Sequence, residues 1–95
     1  MIHWYGDSRN GNEHWNYECE TFHELHDKME AAGLISDRGM HSLESFEADL
    51  GYPRDQFKDA DWHEFIERQK EIVFYHYFEK DDGKPILFDT NGDMK

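Results

Sequence analysis

Ile72-Val73-Phe74-Tyr75-His76-Tyr77-Phe78 decides the fold of this chain of 95 residues. The run is β-branched and aromatic throughout, the composition of a strand. It follows a box-like helix start, Asp61-Trp62-His63-Glu64, with Asp61 as N-cap and Trp62, Phe65, Ile66 and Gln69 along one side. Read as a strand, the run ends that helix and opens a hairpin. Lys80-Asp81-Asp82-Gly83-Lys84 is then the turn, with Asp-Gly as its signal, and Pro85 to Asp89 returns as the last strand. The competing reading is one long helix from Asp61 to Tyr77. As a strand the run is apolar on both faces. Either it is central and covered on both sides, or Tyr75 and Tyr77 form an exposed aromatic patch.

Upstream of that helix, Arg54 to Ala60 is a polar connection with one loose turn around Phe57. A helix from about Met40 to Leu50 carries Leu43, Phe46 and Leu50 as its stripe, and Gly51 and Pro53 stop it. Thr21-Phe22-His23-Glu24 matches a capping box, followed by Phe22, Leu25, Met29 and Ala32 at helical spacing and by Gly33 as C-cap. His14 to Glu20 alternates, with Trp15, Tyr17 and Cys19 on one face and His14, Asn16, Glu18 and Glu20 on the other. Ile2 to Tyr5 reads as a short strand, and Gly6 to Asn12 as the loop between the two.

The order ββαααββ predicts an α+β domain spanning residues 1–95. Its four-stranded antiparallel sheet is made from N- and C-terminal hairpins, with about three helices between them packed on one face. Residues 90–95 are expected to form a frayed tail. The expected core is Phe22, Leu25, Met29, Leu43, Phe46, Trp62, Phe65, Phe74 and Phe78.

Lys+Arg number 10 against 22 Asp+Glu, a net charge of −12. Phosphates would be repelled, so neither nucleic acid nor an anionic membrane surface is an expected ligand. An aromatic content of 16% argues for a packed core against disorder, despite the charge. Mean hydropathy is −1.04, and no apolar run is long enough to span a bilayer. Met1-Ile2-His3-Trp4 has neither the basic start nor the apolar stretch of a signal peptide, and reads as a native start. With Cys19 as the sole cysteine there is no internal disulfide, which fits a reducing cytoplasm.

No motif names a reaction, and no enzyme activity or cofactor is expected. His23-Glu24-Leu25-His26 places its histidines at i and i+3, whereas the zincin pattern needs i and i+4. A small metal-binding domain on His23 and His26 is therefore a third-ranked reading, and no metal ligands are assigned. Cys19 sits between Glu18 and Glu20, whose charges disfavour a thiolate. Asp89-Thr90-Asn91-Gly92-Asp93 lacks the spacing of a calcium loop.

The distribution of acids says more. Between Arg9 and Lys28 there is no Lys or Arg, but Glu18, Glu20, Glu24 and Asp27 are there, and Glu30 follows on the polar side of the helix. Glu44 and Glu47 fall in a second base-free run. The net charge exceeds the magnitude of ~2–8 that suffices for solubility in a small domain. These seven acids, with Tyr75 and Tyr77 as aromatic anchors, are the expected partner-binding residues; Trp4, Tyr5 and Tyr52 are further anchors if exposed.

In size, charge and aromatic content the chain resembles small phage-encoded inhibitors that mimic DNA: anti-CRISPR proteins, antirestriction proteins and uracil-DNA glycosylase inhibitors. It is similar in the same compositional way to acidic immunity proteins that plug toxic nucleases. The likeness covers no alignable segment and transfers no residue roles. It implies an inhibitor that occludes the cleft of a basic nucleic-acid-binding protein without touching nucleic acid itself. The alternative is an adaptor or immunity protein docking through an exposed aromatic patch.

Overall fold

The computed structural model describes residues 1–35, 38–69, 74–81 and 83–95. Lys70, Ile72 and Val73, and the side chain of Phe74, expected in the core, lie outside the described residues. The elements are β1 (Ile2–Ser8), β2 (His14–Cys19), α1 (Phe22–Ala31), α2 (Leu43–Leu50), α3 (Asp59–Gln69) and β3 (Phe74–Lys80), with single 3₁₀ turns at Gly39–His41 and Arg54–Gln56. No helix among the described residues is long and apolar enough to cross a membrane.

The sheet corrects the four-stranded expectation. Among the described residues it has three strands in the order β2-β1-β3, with β1 antiparallel to both neighbours. The expected turn after β3 does form, since Gly83 N–H donates to the Lys80 carbonyl at 2.8 Å. Beyond it, Pro85 has no N–H to continue a ladder. The chain leaves the sheet instead. Phe88 packs near Phe22 and His63, at ring separations of 6.0 and 5.2 Å, and makes only an isolated bridge to Met94. The last residues then close the start of α3. Ala60 N–H donates to the Gly92 carbonyl at 2.9 Å, and Met94 N–H to Asp59 Oδ2 at 3.0 Å. These bonds satisfy groups that a fourth strand would have left to solvent.

Local chemistry explains the helix limits. At α1, Thr21 Oγ1 accepts from Glu24 N–H at 3.1 Å, while Glu24 Oε2 accepts from Glu20 N–H. The reciprocal box is thus closed one residue earlier than the usual pattern. α2 starts at Leu43 rather than Met40, because Ser42 Oγ accepts from Ser45 N–H at 3.1 Å and stops the helix propagating backwards. Gly51, at φ 85°, ends it as expected. α3 begins at Asp59, two residues before the expected N-cap Asp61, whose carboxylate instead reaches back to Lys58 N–H at 2.9 Å.

The helices cover one face of the sheet. Ile2 and Trp4 of β1 and Cys19 of β2 join Phe22, Leu25, Met29, Leu34, Leu43, Phe46, Trp62, Phe65 and Ile66 in one core. Phe78 is only partly buried against it. Trp4, a candidate anchor if exposed, is fully buried; its indole N–H donates to His76 Nδ1 at 2.7 Å and its ring stacks on Tyr17 at 5.6 Å. Cys19 is buried too, and that burial pushes its thiol up from the ordinary value, with the Lys28 ammonium acting in the opposite direction.

His63 gives the fold a pH dependence. Burial among Phe22, Phe78 and Phe88 lowers its imidazole below the ordinary 6.5, although the Glu67 and Glu64 carboxylates pull it upward. The unfolded chain therefore takes up the proton first as pH falls. Stability from this group is complete above about 6.5 and is lost as pH falls toward the lower folded value. Denaturant midpoints between pH 7.5 and 5 should drop more for the wild type than for His63→Leu. Equal drops would show that His63 is not a source of the acid sensitivity.

Candidate functional site

The face of the sheet turned away from the helices is built by strand alternation alone. The registers align three rows of side chains across β2, β1 and β3: Glu18–His3–Glu79, Asn16–Tyr5–Tyr77 and His14–Asp7–Tyr75. Rows lie ~6.5–7 Å apart along the strands, and neighbours within a row ~4.5–5.5 Å apart. None of these nine positions is Lys or Arg. Tyr75 and Tyr77 are 66% and 59% exposed, unusually open for large aromatic side chains. Tyr77 stacks on the half-buried Tyr5, centroids 4.8 Å apart. Partial burial raises the Tyr5 phenol, and its hydrogen bond with Glu79 raises it further.

Carboxylates frame these rings. His3 bridges two of them, with Nε2 2.7 Å from Asp81 Oδ1 and Nδ1 3.4 Å from Glu18 Oε1. The Met1 ammonium also meets Asp81, at 2.9 Å; that bond, with the one from His3, holds this carboxyl below the usual carboxylate range. On the row farthest from Glu18, His14 Nδ1 donates to Asp7 Oδ1 at 2.6 Å.

The nine expected partner-binding residues do not share one surface. Glu18, Tyr75 and Tyr77 meet on the outer sheet face. Glu20 lies beyond the end of β2, at Cys19, and its backbone N–H is held by Glu24. Glu24, Asp27 and Glu30 project from α1 and have local partners: Lys28 at 3.8 Å from Glu24, His23 and His26 at 3.8 and 3.2 Å from Asp27, and His26 at 3.7 Å from Glu30. Glu44 and Glu47 on α2 both face Arg54, at 3.6 and 2.8 Å. Hydrogen bonds from the Arg54 guanidinium and backbone N–H lower the Glu47 carboxyl from its ordinary value. Tyr52, another candidate anchor, is half-buried and donates to Asp61 Oδ2 at 2.7 Å.

Sequence reasoning passed over Asp7, Glu79 and Asp81 as members of this surface. The signal for Asp7 was the period-2 pattern His3, Tyr5, Asp7 continuing through Gly6, a residue that argues for a loop.

Two other places were candidates for chemistry. A groove of about 680 Å³ between α2 and α3 is lined by Met40, His41, Asp49, Glu64, Glu67 and Arg68. Arg68 lies over the Phe46 ring at 4.7 Å and reaches Asp49 at 3.2 Å and Glu64 at 3.5 Å, so these acids are matched from within. In the His23/His26 region, His23 stacks flat on Trp62 at 4.5 Å, and His26 is buried against Trp62 and Phe65. No group of three His, Cys, Asp or Glu side chains among the described residues is placed to hold a metal ion. Comparison of the chain with protein-family models, with curated proteins and with solved structures finds no match.

Proposed function

We propose that this domain is a non-catalytic inhibitor of the phage-encoded type, one that occupies the basic nucleic-acid-binding cleft of a host defence or nucleic-acid-processing protein. The outer sheet face carries this reading: three tyrosines framed by carboxylates, with no Lys or Arg in the three rows. Opposite charge speeds encounter with a basic surface. Exposed aromatics then supply the desolvated contacts that slow release. The acids of α1 and α2 add to the field, while their local partners make them poorer points of contact.

Docking through the aromatic patch alone, as in an adaptor or immunity protein, is the second reading; the exposure of Tyr75 and Tyr77 favours it. Salt separates the two. The partner is captured from a bacterial lysate and purified, and its dissociation constant for this protein is measured from about 50 to 200 mM salt, a range over which multi-site phosphate contacts lose orders of magnitude in affinity. For the inhibitor, affinity falls steeply and duplex DNA competes for the same site. Affinity that is insensitive to salt and to DNA sinks the inhibitor reading and leaves the adaptor.

A further inference from the structure

We infer that the outer sheet face is a receptor for arginine side chains presented by a basic segment of the partner, with guanidinium groups lying against Tyr75 and Tyr77 and reaching Glu79 and Glu18. This inference rests on the reading of the domain as an acidic docking protein and names the partner chemistry at that site.

Two demands are met together on this face. A guanidinium is planar and weakly hydrated, and it gains from both an aromatic face and a forked carboxylate contact. An ammonium is a strongly hydrated point charge and gains mainly from the charge. Carboxylates alone would not discriminate between them. Here the Tyr5–Tyr77 stack lies one row from Glu18 and Glu79, and Tyr75 lies one row further along. Glu79 lies close enough to Tyr5 to raise its phenol, and a carboxylate has about four acceptor sites, which leaves room for a guanidinium.

Charge complementarity selects this occupant over others. A second copy of the chain would bring the same Asp7, Glu18, Glu79 and Asp81 against themselves, in a protein of net charge −12. Nucleic acid and anionic lipid meet the same repulsion. The other acidic regions fit less well. In the α2–α3 groove, Arg68 already provides the guanidinium, over Phe46 rather than over an exposed ring. On α1 the acids face His23, His26 and Lys28.

The test is an NMR titration of the whole labelled protein at low salt with two blocked peptides, hexa-arginine and hexa-lysine. The arginine peptide should bind roughly tenfold tighter, the margin that a guanidinium–aromatic contact supplies. Its shifts should centre on Tyr5, Tyr75, Tyr77, Glu18 and Glu79. The paired change Tyr75→Ala and Tyr77→Ala, at exposed positions that leave the core intact, should bring its affinity down to that of the lysine peptide, whereas Glu20→Gln with Asp27→Asn should preserve the margin. Equal binding of both peptides, or shifts centred on α1, overturns the arginine receptor but leaves acidic docking standing. No binding of either peptide removes both. Tyr75 and Tyr77 signals that broaden with protein concentration alone would assign the face to a second copy and overturn the inference.

Discussion

Phe46→Ala should cost about 3–5 kcal/mol of folding stability, the range for deleting a buried aromatic ring. Phe46 is 1% exposed, at the point where α2, α3 and the connection between them meet. Its ring contacts Phe57 edge-on at 5.4 Å and Phe65 at 5.3 Å, with the Arg68 guanidinium 4.7 Å above it. Deleting the ring opens a cavity and also leaves Arg68 without its aromatic partner. For a domain whose whole stability is ~5–15 kcal/mol, such a loss threatens folding at ordinary temperature. Phe46→Leu keeps most of the volume and should cost clearly less. Chemical denaturation followed by tryptophan fluorescence measures both variants. A loss below about 1 kcal/mol for the alanine variant would remove Phe46 from the load shared by this core.

Gly6→Ala is expected to cost about 2–3 kcal/mol, the upper part of the overpacking range. The added methyl would lie 2.5 Å from Cη2 and 2.7 Å from Cζ2 of Trp4. The indole cannot easily retreat. It is fully buried, bonded to His76 and stacked on Tyr17. A double-mutant cycle tests the cause. In a Trp4→Leu background the methyl has room, so Gly6→Ala should cost at least ~1 kcal/mol less than in the wild type. Strict additivity would place the strain somewhere other than at the indole.

These two positions mark what could be read from the residues in order and what could not. Helical spacing with a cap at each end exposed Phe22, Leu25, Met29 and Phe46 as core, because local pattern and burial agree there. Gly6 reads locally as the start of a loop. It belongs to β1 because the Trp4 ring needs the space its missing side chain leaves, a relation visible only once the strand is paired. The hairpin signal ending at Gly83 did mark a turn, but Pro85 and the contacts drawing Phe88 and Met94 toward α3 withdrew the fourth strand. Pro85 was in plain view; the competing contacts were not.

The acids divide in the same way. Their number and base-free spacing lie open in the chain, and so do the i,i+4 partners along α1, whereas the partner of Glu44 and Glu47 depends on how the chain turns after α2. Arg54 reaches Glu47 from seven residues away across the end of α2. Glu24 serves the cap of α1, so reversing its charge would disturb the helix as well as the surface. Tyr75 and Tyr77 were bound either to be covered or to form a patch, and the third-strand position of β3 at the sheet edge resolves that choice in favour of the patch.

The central place of β1 has a practical consequence. Ile2 and Trp4 fix its register from the buried side, so the outward side chains are spared that task. A combinatorial library could vary Tyr5, Asn16, Tyr75 and Tyr77 while His3 and Asp81 keep the ends of the strands together. The domain would then serve as a flat-faced, disulfide-free binding scaffold, one whose specificity is selected on one side of a sheet and whose folding is encoded on the other.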